Sequence, residues 1–268
     1  PAETWQLKEA APLDRAYLLY RWLRAAGHAV RWGWSRPRGS GVLARDVPAL
    51  AALGTPVLLV GPDGSPMRPG DDLSAIGEPM LALARAPVLT FGDGLGEIPA
   101  ADWRRHGIEQ TVRVRLGPGG DARVHERTTY MGESARRLRA WRRLTAEEIR
   151  NRIQERIQAV NPRARNVTHR VEGEVRENRR TYVLDLEYEV PAFADSRPEL
   201  CSFLPPWLEY RARAVGRDDR RFPLFWREGA HGRLEVSVQV PDTFRSVALP
   251  ESESCSGGPT AIAMDVRQ

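Results

Sequence analysis

The chain has little lysine, little cysteine and no long apolar run, and each shortage excludes a class of protein. Lys8 is the only lysine among 40 Lys and Arg residues, so arginine carries the positive charge throughout. Such a bias belongs to the composition as a whole rather than to one phosphate-binding stripe. The two cysteines, Cys201 and Cys255, match neither a C-x-x-C redox pair nor the ligand spacing of a zinc knuckle. They are read either as two buried free thiols or as one disulfide formed in an oxidising compartment. No stretch of 18 apolar residues occurs, so no membrane-spanning helix is expected, and no signal-peptide pattern is present. The chain starts at Pro1, which leaves room for a targeting segment removed beforehand. Five histidines, His28, His106, His125, His169 and His231, are scattered with no two at ligand spacing. Each is read as a surface or structural residue, and neither metal nor cofactor is expected.

What is present is enough for a sizeable core: 268 residues, 41% of them hydrophobic, point to two domains. The net charge of +5 raises a nucleic-acid reading, with Arg136, Arg137, Arg139, Arg142, Arg143, Arg150, Arg152 and Arg156 close together. Glu133, Glu147, Glu148 and Glu155 are interleaved with them, which favours solvated helix faces over a nucleic-acid binder.

The best-bounded element is the helix Pro12–Gly27. Leu19, Trp22, Leu23 and Ala26 recur at helical spacing and predict a stripe facing a core, with Arg21 and Arg24 toward solvent. Pro12 suits the first turn, Asp14 the positive end of the dipole, and Gly27 a left-handed C′ position. Ala29–Trp34 alternates as a strand. Asp46–Leu53 is a short helical or irregular piece, and Val57–Val60 is a buried strand before the turn Gly61–Gly64. The run Gly92–Gly96 is read as a turn rather than a dinucleotide loop, because no helix pattern follows it.

From Ile108 onward the pattern changes. Gln110–Leu116 and Ala122–Tyr130 flank Gly117–Gly120 as a hairpin. Thr145-Ala-Glu-Glu148 predicts a capping box, after which Ile149, Ile153 and Ile157 repeat until Asn161-Pro162. Strands are then expected over Asn166–Val175, Thr181–Val190, Leu208–Val215, Leu234–Val240 and Ala261–Val266. A hairpin, a helical insertion near 134–160 and closely spaced strands together predict a β-sandwich. Trp22, Trp32, Trp34 and Trp141 are assigned to the core, and Trp207 and Trp226 to an exposed contact patch.

Two residue sets carry a resemblance. Asp14-Arg15-Ala16 and Arg24-Ala25-Ala26-Gly27 are similar to the nucleophile helix of transglutaminase-like domains, whose pattern is Gly-Asp-Cys-x-Asp-Lys/Arg-Ala followed by Leu-rich residues and Arg-Ala-Ala-Gly. The alignment puts Ala10-Ala11 at the Gly-Asp and Pro12 at the cysteine. The family's catalytic His falls at Pro56, within Gly54-Thr55-Pro56, and its Asp at Arg68, within Met67-Arg68-Pro69-Gly70. Residues 71–99 resemble the segment that closes that core, up to Ile98-Pro99. The hairpin at 119–122, the helix pair at 134–160, Tyr188–Phe193, Arg221–Leu224 and Val240–Phe244 resemble the β-rich C-terminal domain of unknown function that follows this core in large, commonly exported bacterial proteins.

The resemblance implies an α+β chain with a partial transglutaminase-like (papain-like) core at 1–99 and a β-sandwich-type domain at 100–268. It also implies a lost Cys-His-Asp triad, since proline supplies neither nucleophile nor base and arginine stays charged. The expectation is a non-catalytic interaction protein, periplasmic or extracellular, with the cytoplasm as the alternative. The alternatives in function are a cysteine-dependent transglutaminase or peptidase with its nucleophile elsewhere, Cys201 included, and an Arg-rich nucleic-acid binder. A protein partner is expected to cover the Pro12–Gly27 helix, either an N-terminal fragment of the same precursor or another subunit.

Overall fold

The computed structural model describes residues 11–41, 43, 52–69, 73, 80–172, 181–197, 200–208, 231–244, 248–257 and 260–265. Helix α1 (Pro12–Ala25) opens on proline, with Asp14 in its first turn and Arg24 in its last. Its end is a Schellman closure: the Gly27 N–H donates to Arg24 O and the His28 N–H to Leu23 O, both at 3.0 Å. Gly27 takes φ 81° to allow this, a conformation costly for any residue with a Cβ.

Five antiparallel strands follow: β1 (Val30–Ser35), β2 (Thr55–Val60), β3 (Ser65–Met67), β4 (Pro87–Thr90) and β5 (Gly94–Glu97), ordered β3-β2-β1-β4-β5. Helix α1 packs on β1 and β2. Val57, Leu58 and Leu59 are all buried, so β2 is covered on both faces, as its continuous apolar run requires. A small core of Val57, Leu59, Met80, Leu83, Ala86, Val88 and Ile98 lies along this sheet. The predicted stripe of α1 is displaced. Ala16 is fully buried, with Leu19, Tyr20 and Leu23 half-buried beside it, whereas Trp22 is 53% exposed and Ala26 is exposed. The buried line is therefore centred on Ala16 and Leu23, and Trp22 lies on its flank.

The second sheet is built from β6 (Gly107–Leu116), β7 (Ala122–Met131), β8 (Arg165–Glu172), β9 (Thr181–Val190) and β12 (His231–Gln239), in the order β12-β6-β7-β9-β8. All pairs are antiparallel except β12 with β6, which run parallel from His231↔Gly107 to Gln239↔Arg115. Two short ribbons complete the strands, β10 (Asp195–Ser196) with β11 (Cys201–Ser202) and β13 (Glu253–Gly257) with β14 (Thr260–Met264).

Between β7 and β8 lie the helical turn α2 (Arg136–Arg139) and helix α3 (Ala146–Val160). The capping box of α3 is complete: Glu148 N–H donates to Thr145 Oγ1 at 3.2 Å, and Thr145 N–H to Glu148 Oε2 at 2.7 Å. These bonds hold the Glu148 carboxyl below its usual range. Leu138, Trp141, Ile153 and Ile157 join Val112, Val114, Val124, Leu184 and Leu186 in one core.

Among the described residues, then, the layer facing this sheet is helical, not the second sheet of the expected sandwich. One phase of β6, β7 and β9 is buried, while the other carries Arg113, Arg115, Arg123, Arg127, Asp185, Glu187 and Glu189 and stays open. Such alternation suits a sandwich and a helix-covered sheet equally; here the buried phase is met by Leu138, Trp141, Ile153 and Ile157 from the helical insertion. The whole is a mixed α+β chain, and no helix among the described residues is long and apolar enough to cross a membrane. Most of Asp46–Leu53, most of the strand expected at Leu208–Val215, Arg221–Leu224 and Trp226 lie outside the described residues. Trp207 belongs to a single 3-10 turn, Pro206–Leu208.

Candidate functional site

The three positions of the expected triad are held by local geometry that has no chemistry of its own. Pro12 is the first residue of α1. Pro56 lies in β2 opposite Trp34, and Arg68 follows directly on β3. The only histidine before residue 100 is His28, exposed after the end of α1, and no cysteine occurs there. Of the two cysteines, Cys201 is a half-buried free thiol packed against the second core. Cys255 lies in β13, and its side chain is outside the described part of the molecule. No cluster of three His, Cys, Asp or Glu side chains with metal-binding geometry occurs among the described residues.

The most concentrated polar chemistry is inside the second half, under α3. Glu126 on β7 is 4% exposed, in the buried phase of its strand between Val124 and Thr128. Three donors converge on its carboxylate. Tyr188 from β9 donates its hydroxyl, and Trp207 donates its indole N–H to the same oxygen at 2.7 Å. Gln110 from β6 donates to the other oxygen at 2.9 Å. Asn161, just past α3, donates to the Tyr188 hydroxyl at 3.3 Å. Burial, and then the adjacent Glu126 charge, push the Tyr188 phenol far above its ordinary value, so it stays a donor. The indole of Trp207 also stacks obliquely on Phe193, which in turn meets Phe203. The cluster thus pins residues 203–207 to the sheet. Trp207 is a half-buried tether here, correcting its assignment to an exposed patch. The carboxylate, buried and held by these three donors, ties the sheet to the 203–207 segment.

On the opposite face of the same sheet, register lines up the outward side chains in transverse rows. Nearest the 117–121 loop the row reads Gln239, Arg115, Arg123, Glu189, Arg165. The next reads Ser237, Arg113, His125, Glu187, Thr168, and the third Glu235, Thr111, Arg127, Asp185, Arg170. In the third row Arg127 bonds Glu172 through both terminal nitrogens, at 2.9 and 2.7 Å, and also Asp185. The Arg127 fork holds the Glu172 carboxyl below its usual range. His125 also bonds Asp185 through Nε2. A groove of about 290 Å³ lies at the loop end, lined by Arg115, Asp121, Arg123, Arg165, Glu189 and Pro191 among others.

The arginine-rich stretch that raised a nucleic-acid reading is largely consumed by the fold. Arg139 is fully buried, and Arg136, Arg142 and Arg143 are engaged within the protein. Of the features above, the Glu126 cluster left one legible trace in the sequence, an acid in the apolar phase of a strand, whereas the charged rows depend on pairings between distant strands. Compared with protein-family models, with curated proteins and with solved structures, the chain gives no match, so its function is argued from this geometry.

Proposed function

We propose that this chain is a non-catalytic binding protein, a degenerate transglutaminase-like half-core joined to a β-rich domain, acting through the flanks of α1. The observation that carries the reading is the surface of that helix. Leu13 and Tyr17 are 47% and 41% exposed on one side of the buried line through Ala16 and Leu23, and Trp22 is exposed on the other. Covering such side chains is worth roughly 1.5–3 kcal/mol each, a strong drive toward a protein partner. The order of elements supports the half-core: a helix opening at Pro12 leads into antiparallel strands with Pro56 in the second and Arg68 after the third. Loss of the thiol–imidazole pair supports inertness, because covalent acyl transfer needs both. The nucleic-acid alternative is disfavoured by the alternation of sign along the open sheet face.

Light scattering of the purified chain tests the binding surface. Association, or binding of a hydrophobic dye, is expected and should be lost when Tyr17 and Trp22 are both replaced by serine. A stable monomer that binds no dye would refute it. Amine incorporation and peptide hydrolysis should stay at buffer background, and thiol-blockable turnover would overturn the inert reading.

A further inference from the structure

The loop end of the open sheet face concentrates positive charge that the rest of that face does not. Arg115 and Arg123 are directly opposite each other on β6 and β7, a like-charged cross-strand pair that is destabilising unless something negative intervenes. Arg123 has a share of Glu189 at 3.6 Å, but Arg165, at 3.8 Å, and the Asn166 amide, at 2.9 Å, draw on the same carboxylate. The hydrogen-bond partner of Arg115 is neutral, the Gln239 side-chain oxygen at 3.0 Å. The other acid in the groove, Asp121, accepts the Ala192 N–H at 2.8 Å and is thereby held at the turn. One row further in, Arg113 has no acidic partner among the described residues.

We propose that this groove binds a compact oxyanion, the phosphate group of a metabolite-sized molecule, between the guanidinium groups of Arg115 and Arg123. Two planar forks offer paired N–H donors that match the edges of a tetrahedral oxyanion, and a dianion relieves their mutual repulsion. The cavity of about 290 Å³ sits at the small end of ligand pockets, which run from about 300 Å³ upward. That size suits the phosphate end of a small molecule. The rows beyond alternate in sign, Glu187 in the row of Arg113 and Asp185 beside Arg127, so the excess positive charge stops at the groove instead of continuing as a track for a nucleic-acid strand.

Calorimetric titration of the 268-residue chain with inorganic phosphate, at ionic strength fixed with chloride, tests the site. Saturable one-site binding is expected. Arg115→Gln and Arg123→Gln should each weaken it about tenfold or more, the loss of one charge-assisted contact. Arg233→Gln, at the far end of the same face, should leave it within about twofold. Thermal melts supply an independent reading: phosphate should raise the midpoint of the unaltered chain but not of Arg115→Gln. Without phosphate, Arg115→Gln should melt no lower than the unaltered chain, since it removes a like-charge pair. Equal weakening by Arg233→Gln, unchanged binding in both groove variants, or only the unsaturable heats of an adventitious ion would each overturn the assignment.

Discussion

Replacing Glu126 probes the cluster that joins β6, β7, β9 and the segment around Trp207. In Glu126→Ala three donors, the buried Tyr188 hydroxyl and the half-buried Gln110 amide and Trp207 indole N–H, lose their acceptor together. Each orphaned donor costs about 1–3 kcal/mol, and removing one member of a buried charged network costs about 3–5 kcal/mol in all. The loss should therefore be roughly 3–5 kcal/mol, a large share of the roughly 5–15 kcal/mol that holds a domain together. Glu126→Gln keeps the shape and one acceptor oxygen. Its new amide donor faces the Gln110 amide, which can rotate to present oxygen instead, so the cost should fall to about 1–2 kcal/mol. Trp207→Phe deletes one donor and should cost a similar amount. Urea unfolding of the three single variants and the Glu126→Gln/Trp207→Phe double variant gives the coupling directly. A coupling of about 1 kcal/mol between residues 126 and 207 is expected. If Glu126→Ala lost under about 1 kcal/mol, or the two changes were strictly additive, the carboxylate would not be the tether described.

Tyr188 predicts an alkaline limit. Its phenol stays protonated in the fold, by burial and by the adjacent Glu126 charge, while in the unfolded chain it ionises near the ordinary tyrosine value of about 10. Above that pH the unfolded state binds fewer protons than the folded one, so stability present below it falls as pH rises, and Tyr188→Phe should flatten this part of a urea-midpoint profile. Gly120→Ala should destabilise by roughly 1–3 kcal/mol in thermal unfolding, because φ is 84° there and an added Cβ would stand 2.5 Å from the Ala194 carbonyl oxygen. Thr145→Ala removes the N-cap of α3 and should cost about 1 kcal/mol by urea unfolding, with Thr145→Ser close to neutral.

Elements whose signals are local were readable from the sequence. Pro12 and Gly27 marked the ends of α1, the 145–148 capping box formed both bonds, and Thr181–Val190 matches β9 at both ends. Alternation also placed β7 within a residue of its observed end. Trp22 was misassigned because the apolar arc of α1 is wider than one contact face, and only the packing of Ala16 on the strands selects which part is buried. The helical insertion is legible in the sequence, but its role as the cover of the second sheet is not, because a half-buried sheet shows the same alternation whether a helix or another sheet packs on it. The Glu126 cluster joins residues 110, 126, 161, 188 and 207, and the groove joins 115, 123, 165 and 189. Neither grouping exists until register is fixed, and register is a property of long-range pairing rather than of any window of sequence.

The parallel seam between β12 and β6 also sets an order of assembly. The β6–β7 hairpin closes over a five-residue loop, whereas β12 must return across 124 residues to lie beside β6. Closing so long a chain segment is entropically costly before any contact repays it, so the antiparallel strands should form first and β12 should dock last. Among the described residues it is also an edge strand, with Leu234 partly exposed along it. Its amides should then exchange with solvent through a local opening that leaves β7 and β9 protected. The sheet would behave as a slow-exchanging centre with one detachable margin, and detachment of that margin would carry Gln239 away from Arg115.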